Sequence, residues 1–292
     1  MRLETFLTQG WEEHFPDSTQ QQAIQYLENG QILYFPALAF SLSPEEHPFL
    51  SAKYIDTHAK NISYFAKQNR LWGVQHLTDA EHHQLKSMMN RFSNHAFTLI
   101  QHLLPRYVPH LQIGRTSFRP VQISDRKTSY RKDDKRLHVD AFPSAPNQGN
   151  RILRVFSNVN LNGEYRVWRV GEPFEQVAKQ FLPHIKKPLP GKAALLRFLR
   201  ITKSYRSLYD HYMLHIHDHM KLDEEYQLSA DQQEIRFPSG SSWIVQTDHV
   251  SHAAMQGQHL LEQTFYLPVT AMQNESQAPL RILEKLLQQE LV

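Results

Sequence analysis

The sequence predicts an α+β fold in which a mainly helical N-terminal region, residues 1–109, precedes an antiparallel β core over residues 110–270. Three observations support this class. A long amphipathic pattern with helical spacing lies in the first third of the chain, short apolar runs between turn residues follow it, and helical stretches interrupt those runs. Strands at such spacing are typical of an antiparallel sandwich or barrel. We expect one domain over residues 1–292, closed by an amphipathic helix within 271–292.

The N-terminal region begins with a predicted helix at 18–29, which Ser18 or Thr19 would cap. Residues 31–40 form the apolar run QILYFPALAF and predict a strand. Because proline has no N–H group to donate to a neighbouring strand, Pro36 predicts that this strand lies at the edge of a sheet.

The longest predicted helix spans 78–104. Thr78 or Asp79 would cap its start, and Pro105 would end it. Apolar residues recur along it at steps of three and four, which predicts one face packed against the core. These residues are Leu85, Met88, Met89, Phe92, Ala96, Leu99 and Leu103.

The β core is predicted from short runs rich in β-branched and aromatic residues between turn signals. The predicted strands are 117–124, 151–160, 164–169, 233–237, 241–247 and 260–268. Helices are predicted in an insertion at about 171–182 and 191–220, and again at the C-terminus over 280–291.

The composition excludes several kinds of protein. The chain has no cysteine, so disulfides, thiolate catalysis and cysteine-based zinc sites are excluded. No window offers the roughly 20 apolar residues of a membrane-spanning helix, and the N-terminus resembles no signal peptide, so the expected location is the cytoplasm. A formal net charge of +3 gives no argument for a nucleic-acid partner.

A candidate metal motif occurs in the stretch RLHVDAFPS, where one residue separates His138 and Asp140. Residues two apart in an extended strand point to the same face, so an imidazole and a carboxylate can meet one ion. A histidine from a distant strand would complete a set of two histidines and one carboxylate. Such a set suits non-haem Fe(II), because it leaves positions for a chelating cosubstrate and for O2.

The third ligand is expected near the end of the β core, in the stretch TDHVSHAAMQGQHLLEQTFYLP. Three histidines compete there. His252 is favoured, because the small residues Ala253 and Ala254 that follow it leave room for bound ligands. His249 is the alternative, and His259, at the turn before the last strand, is expected to be exposed.

A competing metal site is suggested by the stretch HYMLHIHDHM. His211, His215 and His219 are four residues apart and would share one face of a helix, and such a face can hold zinc. The alternatives are a solvated helix surface, a pocket lining or a membrane-facing role, since no H-E-x-x-H motif is present.

Three long stretches carry a family resemblance: RKTSYRKDDKRLHVDAFPSAPNQGNRILRVFSNVN, YRVWRVGEPFE and TDHVSHAAMQGQHLLEQTFYLP. Together they resemble the Kdo hydroxylase family, where Kdo is 3-deoxy-D-manno-oct-2-ulosonic acid, an acidic sugar of the lipopolysaccharide inner core. The resemblance is close over 110–270 and looser before it. It implies an Fe(II)/2-oxoglutarate-dependent dioxygenase that uses O2 and has a double-stranded β-helix (jelly-roll, cupin-like) core. By the family pattern, His138, Asp140 and His252 fall on the iron ligands.

The resemblance also implies a substrate and a location. The family hydroxylates Kdo at C3 on a Kdo-lipid A precursor, which gives D-glycero-D-talo-oct-2-ulosonic acid (Ko), at the cytoplasmic side of the inner membrane. Because the acyl chains stay in the bilayer, we expect peripheral contact with the membrane. The C-terminal helix is a candidate for that contact, although its modest basic charge favours packing on the enzyme's own body. Two alternatives remain, the same oxygenase chemistry on another sugar or small acid and a non-catalytic cupin-like binding protein.

The cosubstrate site departs from the pattern of the wider oxygenase superfamily, in which many members carry an arginine on the last strand for the far carboxylate of 2-oxoglutarate. Here that strand reads LLEQTFYL and has no basic residue. The carboxylate still needs a partner, because a buried unpaired charge is costly. Arg154, in the apolar run ILRVF, is the candidate, with hydrogen bonds from Gln263 and Thr264. A structural salt bridge is the alternative role for Arg154.

Basic residues are expected near the site, since a Kdo substrate carries a carboxylate and lipid A carries phosphates. We assign substrate binding to Lys127, Arg131, Arg136 and Arg166. The run 127–136, just before the predicted ligands, would form a lid that faces anionic groups. A solvated surface role is the alternative for each of these residues.

Overall fold

The computed structural model describes residues 2–122 and 129–292. Within these ranges, strands form one eight-stranded and one three-stranded sheet. The strands are β1 (Leu3–Thr5), β2 (Ile32–Phe35), β3 (Ile62–Phe65), β4 (Arg70–Trp72), β5 (Gln112–Arg119), β6 (Arg151–Asn158), β7 (Arg166–Val170), β8 (Gln233–Phe237), β9 (Ser242–Gln246), β10 (His252–Gln256) and β11 (Leu260–Leu267). The helices are α1 (Asp17–Glu28), α2 (Asp79–Leu103), α3 (Phe174–Phe181), α4 (Lys192–Phe198), α5 (Leu208–Leu222), α6 (Glu224–Ser229) and α7 (Pro279–Leu287).

The eight-stranded sheet has the order β1-β2-β9-β6-β11-β5-β3-β4. Its neighbouring strands are antiparallel except for β1 and β2, which are parallel. β6 and β11 pair along their whole lengths near its centre, with Arg154 opposite Thr264. Directly opposed residues of an antiparallel pair point to the same face, so this register decides which side chains face the second sheet.

The three-stranded sheet, in the order β10-β7-β8, packs on the large sheet through an aromatic core. Trp168 from β7 meets Phe156 and Trp243 of the large sheet edge-on, with ring centroids 5.1 and 5.6 Å apart. Phe237 from β8 stacks on Trp243 at 3.9 Å. Each such pair stabilises the fold by about 0.5–1.5 kcal/mol beyond the area that it buries. The two antiparallel sheets therefore pack face to face, as the sequence predicts.

The helices cover the other side of the large sheet, where α1 and α2 pack. The predicted apolar stripe of α2 is fully buried, and Thr78 caps this helix in a reciprocal capping box with Glu81. The C-terminal helix α7 packs on the body of the protein through Leu280, Ile282 and Leu283. Among the helices of the described residues, none combines the length and apolar character needed to cross a bilayer.

Some predicted boundaries differ from the structure. α1 begins at Asp17 directly after Pro16, so the predicted cap at Ser18 or Thr19 is wrong. The edge position predicted for β2 is also wrong, because β1 pairs with its outer side. Pro36 lies just beyond the end of β2, so its missing N–H interrupts no pairing there.

Strands also occur in the N-terminal region that the sequence predicts as mainly helical. The region 1–109 contains α1 and α2 but also supplies β1 to β4 to the large sheet. The helix predicted over 191–220 is two helices, α4 and α5. β10 is not among the predicted strands, because its sequence, HAAMQ, contains no β-branched or aromatic residue other than histidine.

Candidate metal centre

His138 and His252 meet across an isolated antiparallel bridge between the segment before β6 and the start of β10. The amide of each residue donates a hydrogen bond to the carbonyl of the other, at 3.0 and 2.9 Å. Because directly opposed residues point to one side, the two imidazoles lie together, with ring centroids 4.6 Å apart. The structure thus brings two of the predicted ligands to one place.

Asp140 reaches the same place because it lies two residues after His138 in an extended segment. Its amide donates to the Thr247 carbonyl at 2.8 Å, and its Oδ1 lies 3.9 Å from Nε2 of His138. One ligand atom from each of His138, Asp140 and His252 lies within 4.8 Å of the other two. No other group of three potential metal ligands converges in this way within residues 2–122 and 129–292.

The protonation of both imidazoles suits metal binding. The Nδ1–H of His138 donates to the Arg136 carbonyl, and that of His252 donates to the Val250 carbonyl, each at 2.8 Å. Since a carbonyl oxygen only accepts, Nδ1 carries the proton and Nε2 keeps its lone pair. Burial lowers the pKa of both side chains, so both are neutral at pH 7.

Asp140 supplies the negative charge of this group. Its Oδ2 lies 2.9 Å from Nη2 of Arg154. Burial raises the pKa of the carboxyl, but the charge of Arg154 and further interactions outweigh burial, and the pKa falls to about 2. One ionised carboxylate and two neutral imidazoles form a donor set that fits a non-haem Fe(II) ion.

Two further side chains cover the imidazoles. Trp168 stacks on the ring of His252, with centroids 5.1 Å apart and planes inclined by 22°. His217 from α5 meets the ring of His138 edge-on at 5.4 Å, and the ring nitrogen Nδ1 of His217 lies 2.9 Å from the Asp218 carboxylate. These contacts fix the orientation of the imidazoles, as outer residues of metal sites commonly do. His217 is not among the predicted site residues, and its one signal is its place in a histidine-rich helix.

A chain of buried and partly buried charges runs from Asp140 into the large sheet. Arg154 bridges Asp140 and Glu262, with its Nη1 3.0 Å from Oε1 of Glu262. Glu262 is fully buried and also binds Arg119 at 2.8 Å, and Arg119 lies 3.5 Å from Asp134. Positive and negative groups alternate along this chain, which offsets the cost of several kcal/mol for each buried charge. Arg119 and Glu262 are not among the predicted site residues, although a glutamate inside the apolar run LLEQTFYL is a signal of a buried partner.

The predicted cosubstrate residues divide between the two faces of the large sheet. Arg154 and Thr264 share the face of the metal centre. The salt bridge considered for Arg154 is present, but its Nε–H and that of Arg119 meet no acceptor within the part of the chain that the structure describes. Gln263 points to the opposite face, since neighbouring residues of a strand alternate, and it accepts a hydrogen bond from Thr116 at 2.6 Å. The structure therefore does not bring Gln263 to the site.

A cavity of about 320 Å³ lies beside the charge chain, and Arg115, Phe142, Thr264 and Tyr266 are among the residues that line it. The guanidinium of Arg154 lies 5.8 Å from the centre of the Phe142 ring, which places the cavity next to the partner of Asp140. Burial lowers the pKa of Arg115, but this side chain remains cationic at pH 7. No described residue forms a hydrogen bond or close ion pair with its guanidinium. The cavity thus offers a free positive charge.

The predicted substrate-binding residues are dispersed. Arg131 is exposed and forms an ion pair with α5 at 3.0 Å. Arg136 is half-buried and donates to a backbone carbonyl at the end of α5, at 2.9 Å. Arg166 is buried on β7, and burial lowers its pKa to about 9. Lys127 lies outside the described residues.

The two histidines that compete with His252 lie elsewhere. His249 is buried against Gly30 and lies 6.1 Å from the Phe174 ring. His259 occupies the predicted turn with a φ of +61°, but it is buried rather than exposed, so that prediction is wrong. Neither belongs to the converging group of three.

The burial of His249 makes the fold sensitive to acid. Burial, with a smaller effect of the Arg151 charge, lowers the pKa of His249 from 6.5 to about 3. The unfolded chain therefore binds this proton first as the pH falls. The contribution of His249 to the free energy of unfolding is fully present above about pH 6.5. It declines toward pH 3 by at most about 1.4 kcal/mol per pH unit.

Substituting His249→Leu should remove this dependence. We expect the free energy of unfolding of the wild type to drop between about pH 6.5 and pH 4 by roughly 3 kcal/mol more than that of the variant, as measured by urea denaturation. His58→Leu is the control, because His58 is exposed, and it should behave as the wild type does. Equal pH dependence of the His249 variant and the wild type would contradict the assignment.

The competing histidine cluster on α5 does not form a metal site in the described structure. The Nε2–H of His211 donates to the Lys186 carbonyl at 2.9 Å, so this nitrogen is not free to bind a metal. The rings of His211 and His215 pack edge-to-face, with centroids 4.4 Å apart. His211 instead holds the polypeptide segment that precedes α4.

Comparisons with known proteins agree with this geometry. A family model described as 3-deoxy-D-manno-oct-2-ulosonic acid (Kdo) hydroxylase matches residues 10–290. Among solved structures, an apo structure of the Kdo hydroxylase KdoO, a non-haem Fe(II) α-ketoglutarate-dependent dioxygenase, is 48% identical with a TM-score of 0.97, and the match covers 100% of this chain and 98% of that chain. A KdoO complex with α-ketoglutarate and Fe(III) is 47% identical over the same shares, with a TM-score of 0.97. No curated protein matches the chain.

The match spans the N-terminal region as well as the β core. It confirms the predicted family resemblance and the predicted fold class, α+β with a jelly-roll core. It also confirms Fe(II), 2-oxoglutarate and O2 as the cofactor and cosubstrates, and it removes the alternative of a non-catalytic cupin-like protein. The chain belongs to the Kdo hydroxylase family and is a non-haem Fe(II)/2-oxoglutarate-dependent dioxygenase.

Proposed function

We propose that this enzyme hydroxylates Kdo at C3 on Kdo-lipid A, giving Ko, at the cytoplasmic face of the inner membrane. The observation that carries the proposal is the cavity beside the metal centre, in which Arg115 is cationic and unpaired with any described residue. Kdo presents a carboxylate, and a guanidinium binds a carboxylate through two parallel hydrogen bonds. A cavity of about 320 Å³ is of the size that holds one small ligand. The name of the similar Kdo hydroxylase KdoO supports the same sugar.

The three converging residues would hold Fe(II), and the charge chain next to them would bind 2-oxoglutarate. The unpartnered Nε–H groups of Arg154 and Arg119 supply donors for a carboxylate, and the Thr264 hydroxyl lies on the same face. Bound Fe(II), 2-oxoglutarate and O2 together supply the oxidation that replaces a C–H bond with C–OH, with succinate and CO2 as co-products. Trp168 and His217 cover the imidazoles and limit the access of water to them.

Anionic groups outside the sugar pocket would meet the lid that precedes the ligands. Arg131 is exposed there, and Arg136 is half-buried. We assign the phosphates of lipid A to these two residues together with Lys127, because a phosphate favours guanidinium and ammonium partners. Arg166 is buried between the sheets, so it is a weaker candidate for binding the phosphates of lipid A.

The proposal is tested by incubating the purified enzyme with Fe(II), 2-oxoglutarate, O2 and Kdo-lipid A. We expect succinate formation that depends on the acceptor, and a lipid product heavier by one oxygen atom, located at C3 of Kdo by mass spectrometry. Lipid A without Kdo is the control and should remain unchanged. Iron-dependent succinate formation without hydroxylation of any Kdo acceptor would contradict the substrate, and a hydroxylated product from another sugar or small acid would favour the alternative.

A further inference from the structure

A segment between α3 and α5 exposes large apolar side chains. We call residues 186–203, which include α4, the basic apolar insertion. Five of its apolar side chains are between 53% and 83% exposed. They are Leu189, Leu195, Phe198, Leu199 and Ile201. Monomeric proteins rarely expose apolar residues in such a group, which marks a surface for binding a partner.

The helix in this insertion covers little of its apolar surface, since only Ala193 and Leu196 are half-buried, beside a cavity that Leu291 and Val292 also line. No residue of α4 is buried, although the helix contains Ala193, Leu195, Leu196 and Phe198. A helix of this length is not stable in water by itself, and it normally depends on packing of an apolar face. The exposed face of α4, which carries Leu195 and Phe198, is therefore open to a surface outside the described chain.

The charge of the insertion is entirely positive. Residues 176–209 contain no aspartate or glutamate. Six basic side chains of the insertion are exposed, and none forms an ion pair with a described residue. They are Lys186, Lys187, Lys192, Arg197, Arg200 and Lys203. Unpaired basic residues interleaved with exposed leucine and phenylalanine are typical of segments that lie in the interface of an anionic bilayer.

The insertion contacts the segment that lines the cavity of Arg115. The amide of Lys203 donates to the Ser144 carbonyl at 2.9 Å, and Arg206 just beyond it donates to the Pro143 carbonyl at 2.5 Å. Pro143 and Ser144 follow the metal-binding segment and line the cavity that holds Arg115. A partner that binds the insertion would therefore lie next to the cavity.

We infer that the basic apolar insertion docks the enzyme on an anionic lipid bilayer. The leucine and phenylalanine side chains enter the boundary between headgroups and acyl chains, and the lysines and arginines bind lipid phosphates. An acidic protein partner would satisfy the charge, but it would not explain five exposed apolar side chains among unpaired cations. The docking surface is α4 and its flanks rather than α7, whose apolar face packs on the protein itself. Delivery of a membrane-held sugar to the cavity is a consequence that rests on the proposed function, whereas the docking does not.

The test is co-sedimentation of the full-length protein, without iron, cosubstrate or acceptor, with vesicles. We expect binding to vesicles of equal parts phosphatidylglycerol and phosphatidylcholine, weak binding to phosphatidylcholine alone, and release by salt. The double variant Leu195→Ser, Phe198→Ser should lower the partition coefficient at least about tenfold. The triple variant Lys187→Gln, Arg197→Gln, Arg200→Gln should lower it about a hundredfold at low salt.

Matched controls come from an exposed apolar residue and an exposed basic residue elsewhere. Leu228 on α6 is 85% exposed and lies beside Glu224 and Glu225, and Arg236 on β8 is paired with Glu234. Leu228→Ser and Arg236→Gln should bind vesicles as the wild type does. Because all substituted side chains are exposed, circular dichroism should show an unchanged fold.

The proposal is overturned if the wild type ignores anionic vesicles, if both lipid mixtures bind it equally, or if the insertion variants bind as well as the controls. A different outcome would contradict the proposed function. In that outcome the enzyme binds anionic vesicles but hydroxylates no Kdo acceptor. If the wild type binds no anionic vesicles but hydroxylates a detergent-dispersed Kdo acceptor, the docking role is overturned and the proposed function stands.

Discussion

Replacing Asp140 by alanine is expected to abolish iron binding and turnover together. Asp140 is the single anionic member of the converging group, so its loss removes both a ligand and the charge that offsets the ion. Outer residues of metal sites typically contribute 10- to 100-fold to affinity or activity, and a direct ligand should exceed roughly 100-fold. Iron content after reconstitution and succinate formation measure the two effects.

The fold should survive this substitution, because Arg154 keeps Glu262 as a partner. Asp133→Ala is the control, since Asp133 lies on the same segment but its carboxylate is 3.8 Å from Arg136 and outside the metal centre. It should retain iron and most activity. An Asp140→Ala enzyme that still binds iron and turns over would mean that the ligands are misassigned.

Replacing Glu262 by glutamine is expected to lower the free energy of unfolding by up to about 3–5 kcal/mol, because it leaves the buried Arg154 and the partly buried Arg119 without their shared anion. Glu262 is fully buried and lies 2.8 Å from Arg119 and 3.0 Å from Arg154. The glutamine keeps the shape of the side chain, so the change reports the charge and not a cavity. Chemical denaturation followed by circular dichroism measures the difference.

The matched control for this prediction is Glu234→Gln on β8. Glu234 also pairs with an arginine, Arg236, at 2.9 Å, but both side chains are about half exposed or more. Exposed pairs contribute about 0–1 kcal/mol, so the control should be nearly neutral. Equal stability of the Glu262 variant and this control would show that the charge chain does not hold the sheet together.

Much of the candidate metal centre was predictable from sequence, because the spacing of two of its three residues is local. One intervening residue between His138 and Asp140 places both side chains on one face of an extended segment, whatever the rest of the fold does. The choice of His252 over His249 depended on the small residues after it, and the bridge to His138 gives the structural reason. His249 fills the space against Gly30 instead.

The charge chain could not be predicted from sequence, because it depends on which strands are neighbours. Arg154, Glu262 and Arg119 lie on β6, β11 and β5, and they meet only because β11 pairs with both other strands. Gln263 and Thr264 are separated by a simpler rule. Adjacent residues of a strand point to opposite faces, so one metal centre cannot receive both side chains.

The sequence predicts a helix in the basic apolar insertion, but it does not predict that the apolar side chains of this helix are exposed. The pattern of LLRFLR suits a helix packed against a core, and the sequence alone does not reveal that the described chain offers no such core. Likewise, Pro36 predicts an edge strand, but β2 ends before this residue and β1 pairs with the outer side of β2. Both cases depend on tertiary neighbours rather than on local propensity.

The backbone bridge between His138 and His252 joins residues that lie far apart in the sequence. The bridge, the two Nδ1 hydrogen bonds and the stack on Trp168 involve only the protein's own atoms, so the donors are preorganised and capture of an ion needs little rearrangement. An ion shared by these two histidines would act as a cross-link across more than a hundred residues of chain, and closing so long a loop favours the folded state. Metal binding would then also fix the small sheet to the segment that leads into β6.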